Sequence, residues 1–216
     1  MQITLRVIEP APDHSLVTLY DVKTALIIKQ SDPTYDDLLT LLINWSSGEI
    51  ETYCNRYFAR EKVSETFREI NWRADRRIFL THYPVEQADI ESVTVPDGTN
   101  ISYDLDSRSG TLYSVNGPWV EPVTVTYIGG YEVPVKAPLA LQQSCMLMVR
   151  EAYILARRGI LTGGAAVRMI AHKESRVVYY DPNAALRAAG GTIGNMGSPT
   201  QRAVNDLLRH FMRFPV

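Results

Sequence analysis

VTVTYIGGY, residues 123–131, is the stretch that decides the fold of this chain. Its apolar residues alternate with threonine, which is the period-two pattern of a strand with one buried face. Gly129-Gly130 ends the strand, and a helical pattern with apolar residues at steps of three and four begins at Pro138. Because a region of strands ends here and a region of helix follows, the sequence predicts a mixed α+β fold.

The same period-two pattern extends backwards from this strand to Lys62. Turn-forming residues such as Pro96-Asp97-Gly98 and Ser109-Gly110 divide the region into short segments. The predicted strands are Val63–Ile70, Arg77–Thr81, Ile90–Val95, Ile101–Leu105, Thr111–Val115 and Val123–Ile128. Strands of this length and spacing predict an antiparallel β-meander over residues 62–131, folded as a small sandwich or partial barrel.

Helical patterns flank this β region on both sides. They predict helices over residues 19–27, 33–57 and 138–158, so the β region is an insertion into a small helical bundle. In the second helix Leu41 and Trp45 lie off the main apolar stripe. This helix is therefore expected to have two contacted faces, as in a bundle or at a subunit interface.

The charge of the chain changes sign near Arg157-Arg158. Residues 1–156 hold 13 basic and 21 acidic side chains, a net charge of −8, whereas residues 157–216 hold 9 and 3, a net charge of +6. A basic, glycine-rich segment buries too little apolar surface to fold alone. The sequence therefore predicts a body over residues 1–158 and an extended arm over 159–216, irregular except for a strand at Arg176–Tyr180 and a terminal helix at 199–212.

The terminal helix carries a short apolar stripe of Val204, Leu207, Leu208 and Phe211. Two interpretations stay open: the stripe packs on the core of the body, or it docks into a groove of a partner. Basic residues of the arm could also contact DNA phosphates, although no nucleic-acid recognition motif frames them. They are Arg168, Lys173, Arg176, Arg187, Arg202, Arg209 and Arg213.

No motif of catalysis, metal binding or cofactor binding is present in the sequence. The histidines His14, His82, His172 and His210 are far apart, and none has a metal-ligand neighbour at i+3 or i+4. Cys54 and Cys145 are expected to be buried free thiols. No catalytic, cofactor or metal residue is therefore predicted, and the chain is expected not to be an enzyme.

The sequence also bears on membranes and location. Residues 1–15 lack the basic and apolar regions of a secretory signal, and no apolar run approaches the roughly 20 residues that span a bilayer. We expect a protein made in the cytoplasm that has no membrane partner.

Several motifs, taken in order over residues 16–158, resemble the head–tail connector proteins of long-tailed bacteriophages, the adaptor or head-completion family. They are Leu16-Val17-Thr18-Leu19 with Lys23 and Leu26; Tyr35-Asp36-Asp37-Leu38-Leu39; Ile50-Glu51-Thr52-Tyr53; Ile78-Phe79-Leu80 with Tyr83-Pro84-Val85 and Ile90-Glu91-Ser92-Val93; Tyr103-Asp104-Leu105 with Gly110-Thr111-Leu112; and Val123–Tyr131 with Val133-Pro134. The chain departs from the family at Gly129, where the family has alanine, and at Leu26-Ile27-Ile28, where the family often has Leu-Arg-Val.

This resemblance implies a structural virion protein without catalysis. Such proteins form rings, usually of twelve subunits, under the portal at the head–tail interface and enclose part of the DNA channel. Implied partners are further copies of the chain, the portal, and the next neck, stopper or tail component. The C-terminal segment would bind the portal, through Val204, Leu207, Leu208, Arg209, Phe211, Arg213 and Phe214.

Two alternatives remain open from the sequence. The first is another neck protein, such as a stopper or tail-completion protein, whose β region contacts or closes the channel. The second is a cellular module that binds a ligand through the β region and nucleic acid through the arm.

Overall fold

The computed structural model describes residues 2–68, 76–96, 101–115, 117–157, 166–171, 176–180 and 199–213. Its helices are α1 (Leu19–Ala25), α2 (Asp36–Cys54), α3 (Leu139–Arg157) and α4 (Pro199–Leu208). Its strands are β1 (Gln2–Glu9), β2 (Glu61–Arg68), β3 (Arg77–Phe79), β4 (Ile90–Thr94), β5 (Tyr103–Asp106), β6 (Thr111–Ser114), β7 (Val123–Gly129), β8 (Ala166–Ala171) and β9 (Arg176–Tyr180). Single 3₁₀ turns cover Gln87–Asp89 and Arg209–Phe211. The α+β class and the short helix near the C-terminus are thus confirmed.

The chain divides into two compact units. The first comprises Met1–Thr18, Ser47–Pro138 and Phe211–Val216, and the second comprises Leu19–Ser46 and Leu139–His210. The division of the chain into a body over 1–158 and an arm over 159–216 stays a prediction.

The first unit contains two antiparallel sheets. One has the strand order β1-β2-β7-β4, and the other has the order β3-β6-β5. All six strands expected between residues 62 and 131 are present. Their order departs from a simple meander, because β7 pairs with β2 and β4 and so lies between strands that are distant from it in sequence.

Strand β1 was not predicted from the sequence. It pairs antiparallel with β2, from Gln2 opposite Arg68 to Glu9 opposite Lys62. As an edge strand it is only partly covered, with Ile3 and Leu5 packed against the core and the following residues exposed. The alternation of Ile3, Leu5 and Val7 was the available signal, although an edge strand needs its partner before it is stable.

The core of the first unit lies between its strands. Its fully covered members include large side chains from both sheets and their connections: Val63, Phe67, Ile78, Leu80, Val85, Val93, Leu112, Trp119, Val123, Val125 and Tyr127. The indole Nε1 of Trp119 donates a hydrogen bond of 2.9 Å to the Arg76 carbonyl oxygen, so this buried polar group is satisfied.

Two adjacent glycines allow β7 to approach the neighbouring backbone. A Cβ atom at Gly129 would overlap the His82 carbonyl oxygen, and one at Gly130 would overlap that of Ala59. Gly130 also has φ +106°, a conformation that favours glycine. The close approach explains why glycine, with no side chain, occupies both positions in this chain.

The second unit contains α1, the first part of α2, α3, α4 and the hairpin of β8 and β9. Helix α4 packs against α3, and α1 also contacts α3. Strand β8 lies in a segment that was expected to be irregular, and its partner β9 is the strand predicted at Arg176–Tyr180. Hairpin pairing supplies the backbone hydrogen bonds that neither strand could make alone.

A buried lysine fixes the segment between α1 and α2. Lys23 is 3% exposed, and its ammonium group lies 2.5 Å from the Asp36 carboxylate. It also donates to the carbonyl oxygens of Gln30 at 3.2 Å and Asp32 at 2.9 Å. Asp36 lies in the first turn of α2, where an acidic side chain complements the helix dipole, and it also compensates this buried charge.

Both α1 and α2 end in a Schellman motif. The amide of Ile27 donates to the Thr24 carbonyl and that of Ile28 to the Lys23 carbonyl, at 3.1 and 2.9 Å. The same pair of bonds recurs at Asn55 and Arg56, whose amides donate to Thr52 and Glu51 at 3.2 Å each. The motif places Ile27 at φ 58° and Asn55 at φ 52°. Helix α1 therefore ends at Ala25, two residues before the predicted end.

Candidate functional site

Helix α2 presents an uncovered apolar face. Leu41 is 65% exposed and Trp45 is 53% exposed, and the two residues lie one turn apart. On the opposite side, Leu39 and Ile43 are buried. No described residue of the chain covers Leu41 and Trp45, so this second face is not contacted within a bundle, and its contact at a subunit interface stays a prediction.

A groove of about 270 Å³ lies beside Trp45 in the second unit. It is lined by side chains of three helices: Leu42 and Trp45 of α2, Met148, Glu151, Ala152 and Leu155 of α3, and Gln201 of α4. The lining is mainly apolar, with Glu151 and Gln201 as its polar members. Such a groove suits an apolar side chain rather than a charged substrate, and tryptophan is enriched among residues that dominate binding energy at interfaces.

Ile27 is the second unusual feature of this unit. It is 94% exposed, and its positive φ is a genuine outlier for a β-branched residue. Tyr20, near the start of α1, is 64% exposed. Two large apolar side chains on one short helical segment are therefore in contact with solvent. The sequence does not predict this feature, because no residue-type preference places isoleucine in this conformation.

The residues predicted to bind the portal occupy different environments. Val204 and Leu208 are each 1% exposed, on the helix that packs against α3. Leu207 is half-buried and Arg209 is exposed. The segment that holds Val204 and Leu208 thus packs on the chain itself, which was one of the two interpretations of the stripe. Binding of a portal by this set of residues stays a prediction.

The end of the described segment packs within the first unit. The Phe211 ring meets the Phe58 ring edge-on, with 6.2 Å between centroids. The Arg213 amide donates to the Cys54 carbonyl at 2.8 Å, and its guanidinium donates to the Phe79 carbonyl at 2.7 Å. Phe214 lies outside the described residues.

A polar cavity of about 410 Å³ lies in the first unit at the end of α2. Its lining includes Arg56, Arg213 and Glu51. Arg56 is 4% exposed, donates to the Tyr83 carbonyl oxygen and lies over the Tyr83 ring. Burial raises the pKa of Glu51, while the Phe58 amide that donates to its carboxylate acts in the opposite direction. Arg56 follows α2 by two residues, and a positive charge is favourable near the carbonyl end of a helix.

The first unit also contains a cluster of buried polar side chains. The Glu65 carboxylate accepts hydrogen bonds from the Thr81 amide at 3.0 Å, from the Thr81 hydroxyl and from the Tyr127 hydroxyl. His82 is fully buried, with Nε2 3.2 Å from Glu61 and Nδ1 2.9 Å from the Thr81 hydroxyl. The pKa of Tyr127 is raised well above its ordinary value by burial and then by Glu65. The cluster is internal and joins β2 to the loop after β3.

The sequence held a signal for this cluster. Glu61 and Glu65 have the same parity in β2 as the buried Val63 and Phe67, so they point into the core. The hydrogen-bond partners of these two glutamates within the cluster come from β7 and from the loop after β3. The local sequence pattern therefore could not predict them. Among the described residues, no group of three or more His, Cys, Asp or Glu side chains could hold a metal ion.

The two cysteines are buried and unpaired, as expected from the sequence. Burial raises the pKa of the Cys54 thiol to about 11, so it is protonated at neutral pH and is a poor nucleophile. No helix among the described residues is long and apolar enough to cross a membrane.

Comparison with known proteins identifies relatives of the chain. The family model described as head completion protein matches residues 15–169, more than half of the sequence. No curated protein matches the chain.

Solved structures share its fold at low identity. The neck of an empty GTA particle, computed with C6 symmetry, is similar at TM-score 0.58 and 13% identity, over 99% of this chain and 97% of that one. The neck of a native GTA particle, computed with C12 symmetry, gives 0.55 and 13%, with 99% and 97% covered. The virion of a native gene transfer agent particle gives 0.55 and 12%, with 98% and 96% covered.

Proposed function

The chain belongs to the head completion protein family, and on that basis we propose that it is an adaptor of a virion neck. In this role several copies form a ring that joins the portal to the next neck or tail component. The ring encloses part of the channel through which DNA passes. The proposed role is structural and involves no catalysis, in keeping with the description of the family.

The observation that carries this proposal is the uncovered face of α2. Leu41 and Trp45 together form an exposed apolar surface, and a groove opens beside it. Exposed apolar surface beside a groove marks interaction sites on proteins. The similar folds come from necks computed with sixfold and twelvefold symmetry, which supports a ring of copies.

The charge of the chain is consistent with a DNA channel. The net charge of −8 over residues 1–156 would repel passing phosphates, whereas a basic lining would retain DNA through counterion release. We propose that the acidic part contributes the channel wall and that the basic part faces another protein.

We propose that the C-terminal segment binds the portal. Its buried residues hold the segment in place, and its more exposed residues contact the portal. Val204 and Leu208 hold α4 on α3. The exposed Arg209 and the half-buried Leu207 are the described residues that a portal would contact. Phe211 and Arg213 anchor the end of the segment within the first unit.

The test is electron microscopy of particles that carry a tagged copy of the chain. A ring of this protein directly beneath the portal is the expected result. A ring one layer lower would instead assign a stopper or tail-completion role, in which the β region contacts or closes the channel. Absence of the protein from the neck, with tight salt-dependent binding of DNA by the purified chain, would favour the nucleic-acid-binding module.

A further inference from the structure

Ile27 has an unfavourable backbone conformation and no compensating burial. Its φ of 58° suits glycine or asparagine, and 94% of its surface is exposed. The matching position after α2 is occupied by Asn55, a residue that tolerates this conformation. Residues held in unfavourable conformations cluster at functional sites. The Schellman motif places an apolar side chain in solvent, at the tip of the turn after α1.

The groove beside Trp45 has the complementary character. About 270 Å³ of it is not filled by any residue that the structure describes. A cavity needs only about 10–15 Å³ on the same measure to hold one water molecule, so the four carbon atoms of an isoleucine side chain fit within this groove. Leu42, Met148 and Leu155 offer apolar contacts along its walls.

We propose that Ile27 of one copy inserts into the groove beside Trp45 of the adjacent copy. The inference rests on the proposed ring, and it identifies the two surfaces that meet between neighbouring subunits. Ile27, here called the knob, and the groove beside Trp45 are different surfaces of the same unit. The contact between two copies is therefore heterologous. Each copy therefore uses its knob on one neighbour and its groove on the other, which is the arrangement that closes into a ring.

Charge supports the same pairing. Lys29 is exposed two residues after Ile27, and Glu151 lies in the lining of the groove. The segment that carries Ile27 thus has an exposed positive charge, and the lining of the groove includes a negative one. Opposite charges at the edge of an interface fix its orientation and speed association.

Cross-linking in assembled particles tests the contact directly. The double variant Ile27→Cys, Gln201→Cys places one thiol on the knob and one at the groove, and the native Cys54 and Cys145 are buried. Treatment with a short bis-maleimide should give a ladder of covalent multimers in a denaturing gel. Each single variant serves as a control and should give no ladder. Products of monomer size alone would overturn the proposal, because residues 27 and 201 of adjacent copies would then lie too far apart to be joined.

A second variant separates assembly from folding. Ile27→Gly relieves the positive φ, so its Tm should be unchanged or higher by about 2–4 °C. Its association with other copies should nevertheless weaken about tenfold, measured by the mass distribution over a dilution series. Asn55→Gly is the matched control, because it changes the same motif after α2 and should leave association unchanged.

The outcomes distinguish this inference from the proposed function. If the wild-type chain enters the neck and Ile27→Gly does so with equal efficiency, the knob-and-groove contact is wrong and the neck assignment stands. If the wild-type chain does not enter the neck, the proposed function itself fails.

Discussion

At the scale of single residues, the described residues with positive φ differ in how well their residue type accepts that conformation. Asn55 and Gly130 have positive φ and are of types that accept it. Ile27 does not, and backbone strain of this kind costs of the order of 1–3 kcal/mol. The cost at Ile27 is consistent with a role in assembly and not in the stability of the single chain.

Gly130→Ala should destabilise the first unit by about 2 kcal/mol or more. The added Cβ overlaps the Ala59 carbonyl oxygen, and alanine is strained at φ +106°. Chemical denaturation followed by circular dichroism measures the loss. Gly48→Ala is the matched control, since nothing lies within 4 Å of its Cβ and α2 should gain up to about 1 kcal/mol. Equal stability of the two variants would contradict the close approach.

Stability should fall as pH rises above about 9. The folded protein raises the pKa of Cys54 from 9.0 to about 11 and raises that of Tyr127 above 10.0. The unfolded chain therefore loses these protons first, and deprotonation favours unfolding as pH rises through this window. Melting temperatures from pH 8 to 11 measure the effect, and Cys54→Ala should reduce the slope between pH 9 and 11. A slope unchanged in that variant would exclude Cys54 as a contributor.

At the scale of elements, α4 packs against α3, and the 3₁₀ turn that follows it carries the exposed residue that we propose contacts the portal. Val204 and Leu208 are covered, whereas Arg209 is exposed immediately after them. Removing residues 199–216 would uncover apolar surface on α3. The effect of such a deletion on folding could then not be told apart from its effect on portal binding. Single substitutions at Leu208 and Arg209 separate these two effects.

Leu208→Ala should lower the free energy of unfolding by about 2–4 kcal/mol, because it leaves a cavity against α3. Arg209→Ala should change that free energy by no more than about 0.5 kcal/mol, since the side chain is exposed. Thermal unfolding compares the free energies of unfolding of the two variants. Attachment to portal-bearing heads measures portal binding, and Arg209→Ala should reduce this attachment. Normal attachment would remove Arg209 from the proposed portal contact.

At the scale of the whole molecule, the uncovered face of α2 should matter only when copies assemble. Leu41→Glu places a charge on a side chain that is 65% exposed, so the Tm of the single chain should change by no more than about 2 °C. The mass of the assembled neck species should fall to that of monomers or small oligomers. Arg209→Ala changes a residue that does not line the groove beside Trp45, so this variant should keep the ring mass. A full ring formed by Leu41→Glu would contradict the interface.

The sequence by itself determined most of the elements and their order, but not β1 or β8. Alternation and turn residues predicted all six strands between residues 62 and 131, and the helical spacing predicted the four helices to within a few residues of their ends. It also indicated the second face of α2 through Leu41 and Trp45. These features depend on local periodicity, which records which side of an element is buried.

Only the tertiary structure decided which strands pair and which polar side chains meet. The place of β7 between β2 and β4, the addition of β1, and the Glu65–Thr81–Tyr127 contacts join residues far apart in sequence. The conformation of Ile27 follows from the Schellman motif that ends α1, which the residue types do not predict. Such features depend on the balance of burial and hydrogen bonding over the whole unit, and the local pattern of residues does not record that balance.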